Sequence, residues 1–230
     1  AIGDVNGDGT DDLAIGAYGA DGGASDSGAV YVVYLPQTGS MSVSMADATL
    51  EGGAASDFAG LGLSGEHDAN GDGTDAVLVS AHQEDSGGSK AGAAYLFTSV
   101  PAGSTDLSAA NATFVGANAE DKAATSGALV DDLDSDGVDD IAVGAPGNDD
   151  AGAAAGAAYV YFGGSLSGSL SLGSADAIAR GENAGDAAGI SIAGGDINGD
   201  GVGDLLVGAR YEDAGGIDAG AAYVLFGGGL

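Results

Sequence analysis

The chain has 230 residues, with 35 acidic side chains against four basic ones, a formal charge of −31, and no cysteine. Disulfides, thiolate metal sites and cysteine nucleophiles are thereby excluded. Four cations cannot assemble the basic patch that nucleic acid or an anionic membrane surface requires. No apolar run approaches the roughly 20 residues of a membrane-spanning helix.

The first informative stretch is Asp4-Val5-Asn6-Gly7-Asp8-Gly9-Thr10-Asp11-Asp12. Alternate residues of a tight loop point into one concavity, so Asp4, Asn6, Asp8 and Asp12 at positions 1, 3, 5 and 9 converge, with the Thr10 carbonyl as a fifth ligand. Such an all-oxygen cage suits Ca²⁺ and holds too many carboxylates for a largely hydrated Mg²⁺. Without a cation, each like-charge pair about 5 Å apart costs roughly 3 kcal/mol at an effective dielectric near 20. The stretch recurs at 64-residue intervals. The second loop offers Asp68, Asn70, Asp72 and Thr74, but Ala76 at position 9, so it is expected to be the weakest site. The third offers Asp132, Asp134, Asp136, Val138 and Asp140, the fourth Asp196, Asn198, Asp200, Val202 and Asp204. Four copies in constant phase make the loop a repeat signature. Three to four Ca²⁺ sites are expected.

An EF-hand would place a glutamate at position 12 with a helix behind it. Here position 12 is Ile15, Val79, Val143 and Val207, inside short aliphatic runs that end at glycine or serine. These read as buried strands. Each pairs in a hairpin with a strand at 29–35, 91–97, 155–162 or 219–226, carrying Tyr31, Tyr95, Tyr159 and Tyr223 at the same interval as core residues. The hairpin turns carry acids: Asp21 and Asp26, Glu84 and Asp85, Asp149 and Asp150, Glu212 and Asp213. They read as solvated loop surface, or alternatively as a binding rim. Further strands are expected at 48–52, 112–116 and 177–181, and others at 59–65, 125–130 and 189–193 lead into the loops. That makes fourteen strands. Four antiparallel strands per period without helices indicate an all-β chain of β-propeller blades, with repeats near 1–47, 48–111, 112–176 and 177–230.

The chain resembles the FG-GAP family, the repeat of integrin α-subunit propellers. Phe58-Ala59-Gly60 stands at the Phe-Gly part, Gly144-Ala145-Pro146 at the Gly-Ala-Pro part, and the loops lie between. Lys122 and Asp186 are read at the Phe position in the later repeats, and Tyr18, His82 and Arg210 at the Pro position. The resemblance implies a calcium-binding propeller of seven blades, of which this chain is expected to be a fragment; closure as four blades is the alternative.

Fifteen of the 35 acids lie inside the loops, so four bound Ca²⁺ cannot explain the rest. The remainder reads as a solvated halophile-type surface. His67 and His82 lack a nucleophile elbow or zinc-spaced partner, so no catalytic residues are expected. Asn111-Ala112-Thr113 is a single glycosylation sequon. The function expected is non-catalytic: an extracellular or cell-surface propeller for adhesion, recognising a protein or glycan. Alternatives are a structural segment of a surface layer or filament that self-associates through open blade edges, or the accessory propeller of a secreted enzyme.

Overall fold

The computed structural model describes residues 1–229. In chain order the strands are β1 (Leu13–Ala17), β2 (Ala29–Val33), β3 (Ala48–Glu51), β4 (Leu63–Ser64), β5 (Val77–Ala81), β6 (Ala93–Phe97), β7 (Gly103–Asp106) and β8 (Ala112–Val115). They continue as β9 (Ser126–Val130), β10 (Asp140–Ala145), β11 (Ala157–Tyr161), β12 (Gly168–Ser171), β13 (Ala177–Arg180), β14 (Ala188–Gly195), β15 (Asp204–Ala209) and β16 (Ala221–Phe226). Three short 3₁₀ turns intervene, and no α-helix is found among the described residues.

The aliphatic runs after the four loops form hairpins in one register. Ile15 faces Tyr31, Val79 faces Tyr95, Val143 faces Tyr159 and Val207 faces Tyr223. Each hairpin belongs to a different sheet. The orders are β1-β2-β3-β7, β4-β5-β6-β8-β12, β9-β10-β11-β13 and β14-β15-β16. Because β3, β8 and β13 join the hairpin before them, the first three sheets straddle boundaries of the 64-residue period, while the fourth lies within one repeat.

Three cores lie between these propeller-like sheets. Val30, Leu50, Val77, Val79 and Phe97 cluster together, as do Leu78, Phe114, Ile141, Val143 and Tyr159, and then Val130, Val160, Leu205 and Val207. Neighbours along β5 enter different clusters, as the two-residue strand period requires. Both faces of β5 and β10 are therefore buried, whereas β1 and β16 leave residues exposed. Burying a side chain such as Leu78 contributes about 1.5–3 kcal/mol. Of the tyrosine series, Tyr159 is buried; Tyr31, Tyr95 and Tyr223 are half-buried. Inner strands are joined across sheets: Leu129 N–H donates to Ser64 Oγ and Ile192 N–H to Ser126 Oγ, both at 2.9 Å. Among the described residues no hydrogen bond joins the first sheet to the fourth.

Two strands exceed the fourteen read from the sequence. β7 and β12 each follow a hairpin but pair in parallel with the outer strand of the preceding sheet, β3 and β8. Their sequences, Gly-Ser-Thr-Asp and Gly-Ser-Leu-Ser, carry almost no apolar signal. The structure also corrects one alignment. Phe58 and Lys122 sit at φ 54° and 53°, and their counterpart is Ala187 at 54°. Asp186 instead matches Asp57 and Asp121: each carboxylate accepts the backbone N–H three residues earlier, from Asn183, Ala54 and Asn118. One extra residue between β11 and β13 shifts the fourth copy, which constant spacing cannot register.

Candidate metal centre

The second, third and fourth loops each connect an inner strand to the second strand of its sheet, the first loop leads into β1, and in every loop the first aspartate organises the turn. Asp4 Oδ1 accepts the N–H groups of Gly7 and Asp8, and Oδ2 that of Gly9 at 2.7 Å. Asp68, Asp132 and Asp196 repeat the pattern onto residues 71–73, 135–137 and 199–201. The N–H of Gly9 is the largest cause holding the Asp4 carboxyl below its usual range. Gly9, Gly73, Gly137 and Gly201 adopt φ of 85–93°, which favours glycine at position 6.

At position 3, Asn6, Asn70, Asp134 and Asn198 accept the N–H of position 5. At position 5, Asp8, Asp72, Asp136 and Asp200 accept that of position 7. These contacts use one lone pair of each oxygen and hold the other side chains in the loop. Among the described residues the position-7 carbonyls of Thr10, Thr74, Val138 and Val202 accept no hydrogen bond. Oxygens of Asp132, Asp134 and Asp136 lie within 4.8 Å of one another. The Asp134 carboxyl is pushed up by desolvation, with the charges of Asp136 and Asp132 adding to it.

Position 9 differs from the rest: Asp12, Asp140 and Asp204 are fully buried at 0% exposure. One oxygen of each accepts an N–H 23 residues on, from Leu35, Gly163 and Gly227, tying the loop to the far end of the hairpin. The other oxygen of Asp140 and Asp204 accepts N–H groups inside the loop. Asp12 Oδ2 is buried without a partner. Burial pushes the Asp12 carboxyl up, and that of Asp140 up to about 6. A buried, unpartnered carboxylate oxygen beside a set of oxygen donors fits a hard cation.

In the second loop Ala76 leaves no carboxylate at position 9. Asp75 turns away, its Oδ2 accepting the N–H of Asp4 at 2.7 Å in the first loop. His67 links the second and third loops: its Nδ1 lies 3.3 Å from Asp139 Oδ2 and 3.8 Å from Asp131 Oδ1. The sequence assigns neither His67 nor position 8 a role; only the contact between neighbouring loops reveals one. The turn acids also gain a structural role. Asp21, Asp85, Asp149 and Asp213 each accept the N–H five residues on, at Asp26, Lys90, Ala154 and Asp218.

The family model described as FG-GAP repeat matches residues 1–33, 123–161 and 188–225. These three segments of the chain are FG-GAP repeats. Each matched segment contains a loop with a position-9 aspartate, its following strand and most of the hairpin. The loop with Ala76 lies outside them. No curated protein matches the chain.

Proposed function

We propose that this FG-GAP chain is a non-catalytic, calcium-stabilised recognition module of an extracellular or cell-surface protein. Its loops bind Ca²⁺ through Asp4, Asn6, Asp8, Thr10 and Asp12 and their counterparts. The observation that carries this reading is Asp12 Oδ2, a buried carboxylate oxygen with no partner in a loop of oxygen donors. The cation would offset the mutual repulsion of those carboxylates and fix the strand connections. Extracellular modules of this kind bind calcium at about 10⁻⁴–10⁻³ M. The second loop, with no position-9 carboxylate, is the weakest site. The acids outside the loops support a surface suited to high salt, where a Debye length of about 3 Å at 1 M screens self-repulsion. The test is calcium titration by calorimetry on chelator-treated protein, with melting followed in parallel. Three or four sites and a large rise in melting temperature are expected; absence of binding would end the proposal.

A second reading, assembly with further copies through the end sheets, draws on the exposed Leu13 and Ile15 of β1 and Val224 and Phe226 of β16. Concentration-dependent sedimentation would favour it.

A further inference from the structure

The strands that leave the calcium loops end at a cavity on the other side of the molecule. Its volume is about 330 Å³, and it opens where β5, β10 and β15 finish, at His82, Pro146 and Arg210. β10 carries the chain from Asp140 in the loop to Ala145 beside Pro146, roughly 20 Å at about 3.3 Å per residue. The cavity is separate from the metal centres.

Its charge is opposite to that of the molecule. Of four cations on a chain of 35 acids, two line this one cavity, Lys122 and Arg210. No aspartate or glutamate is among the residues lining it. The other two cations are paired, Lys90 Nζ with Glu120 at 4.0 Å and Arg180 Nε with Asp150 at 3.9 Å. Among the described residues Lys122 and Arg210 have no carboxylate within salt-bridge distance. Lys122 and Arg210 are exposed, so two unpaired cations in an acid-free hollow of so acidic a protein stand open to an anion from outside.

The remaining lining indicates what carries that anion. The Arg210 guanidinium lies 4.4 Å from the centroid of the Tyr211 ring, a stacking that leaves its edge N–H groups free for a carboxylate. His82 also lines the cavity, and its buried Nδ1 has no partner. From His82 a row of rings leads outward, Phe58 at 6.2 Å and then Tyr18 at 6.3 Å, with Tyr18 52% exposed. Flat ring faces that are apolar but carry polar edges suit the C–H face of a sugar ring. Two cations amid so many acids offset about one carboxylate, not a run of sulfates or phosphates. We infer that this cavity binds the carboxylate of an acidic glycan, with one uronate-type ring in the hollow and its neighbours along the aromatic row.

The inference names a ligand class for the recognition role proposed above and rests on that role, but not on the calcium loops. The test is calorimetry on the full chain in calcium. The probe is a tetrasaccharide alternating glucuronate with N-acetylhexosamine, compared with its carboxyl-reduced form and with a short acidic peptide. The acidic sugar is expected to bind at least tenfold more tightly than the reduced one. Lys122→Ala and Arg210→Gln should each weaken it about tenfold, while Lys90→Ala, outside the cavity, leaves it unchanged. Both variants should fold, since Phe58 and Ala187 occupy the position of Lys122 in other repeats, and Tyr18, His82 and Pro146 that of Arg210. No binding at millimolar sugar, equal binding of the reduced form, or indifference to both substitutions overturns the inference. Equal, cation-dependent binding of the peptide overturns the glycan assignment. Melting with calcium and with chelator is read on the same samples, so failure of the metal proposal is distinguished from failure of this one.

Discussion

Asp75 Oδ2 accepts the backbone N–H of Asp4 at 2.7 Å, so an aspartate of the second loop holds the first ligand residue of the first. Asp139 does the same for Asp68 at 3.0 Å, again across 71 residues. Beneath these lie backbone bonds from the same residues, Asp75 N–H to Asp4 O and Asp139 N–H to Asp68 O. At the fourth loop the position is Gly203, which donates its N–H to Asp132 O; a Cβ there would meet Asp131 O at 2.6 Å. Position 8 is therefore where neighbouring sheets are fastened, beside the side chains that converge in the loop.

Asp75→Ala is expected to lower stability by about 1–2 kcal/mol, toward the low side because burial already pushes the Asp75 carboxyl up. The loss should be similar in calcium and in chelator, read as a shifted urea midpoint at constant slope. Asp75→Asn, which keeps an acceptor oxygen, should recover most of it. A loss confined to calcium would make Asp75 a ligand and not a fastener.

Asp200→Ala should behave in the opposite way. Asp200 Oδ1 accepts the N–H of Val202, an exposed contact worth about 0.5–1 kcal/mol at most. Its main effect should appear as one lost site in calorimetry and a smaller rise in melting temperature on adding calcium. Equal destabilisation with and without the ion would count against calcium at this loop.

The sequence carried the repeat, the hairpins and the loops because each is a local pattern. Asp4 to Asp12 announces its own turn, and Ile15 opposite Tyr31 follows from alternation. What escaped depends on contacts between blades. Gly103–Asp106 is polar and becomes a strand only because β3 offers it an open edge. Asp75 and Asp139 look like spare loop acids until the neighbouring loop is beside them. Ala187 was hidden behind Asp186 because a one-residue insertion breaks the 64-residue count, and only the shared positive φ restores the match. The cavity around Lys122 and Arg210 draws on three sheets, so no single stretch of chain could display it.

Gly144 marks a close approach of two neighbouring sheets. A Cβ on Gly144 would lie 2.0 Å from the carbonyl oxygen of Gly189 on the neighbouring inner strand, as one on Gly16 would from Gly60. The obstacle is backbone and cannot rotate aside. Gly144→Ala is expected to cost about 1–3 kcal/mol through forced separation of the two sheets. Gly137→Ala, with open space at its Cβ but φ of 93°, should cost less and act through backbone strain alone. Equal melting temperatures for Gly144→Ala and the parent chain would show that these strands are not packed as described.

Asp57 gives the protein a pH dependence that is independent of the loops. It is 6% exposed, and burial, with the charges of Glu84 and Asp85 adding to it, pushes its carboxyl up to about 6. In the unfolded chain the same group titrates near 4. Between these values the folded state holds the extra proton, so stability falls as pH rises from about 4 to about 6, and the contribution is lost above that. The difference corresponds to on the order of 3 kcal/mol. Acidifying calcium-loaded protein from pH 7 to pH 5 should therefore raise its melting temperature. Asp57→Asn can keep an oxygen for the Ala54 N–H while removing the charge. It should raise stability at pH 7 and flatten the rise toward pH 5 relative to the parent chain. If the two proteins keep the same pH profile, Asp57 is not the group responsible, and the effect comes from other buried carboxyls such as Asp140 and Asp121 or from general relief of acidic repulsion.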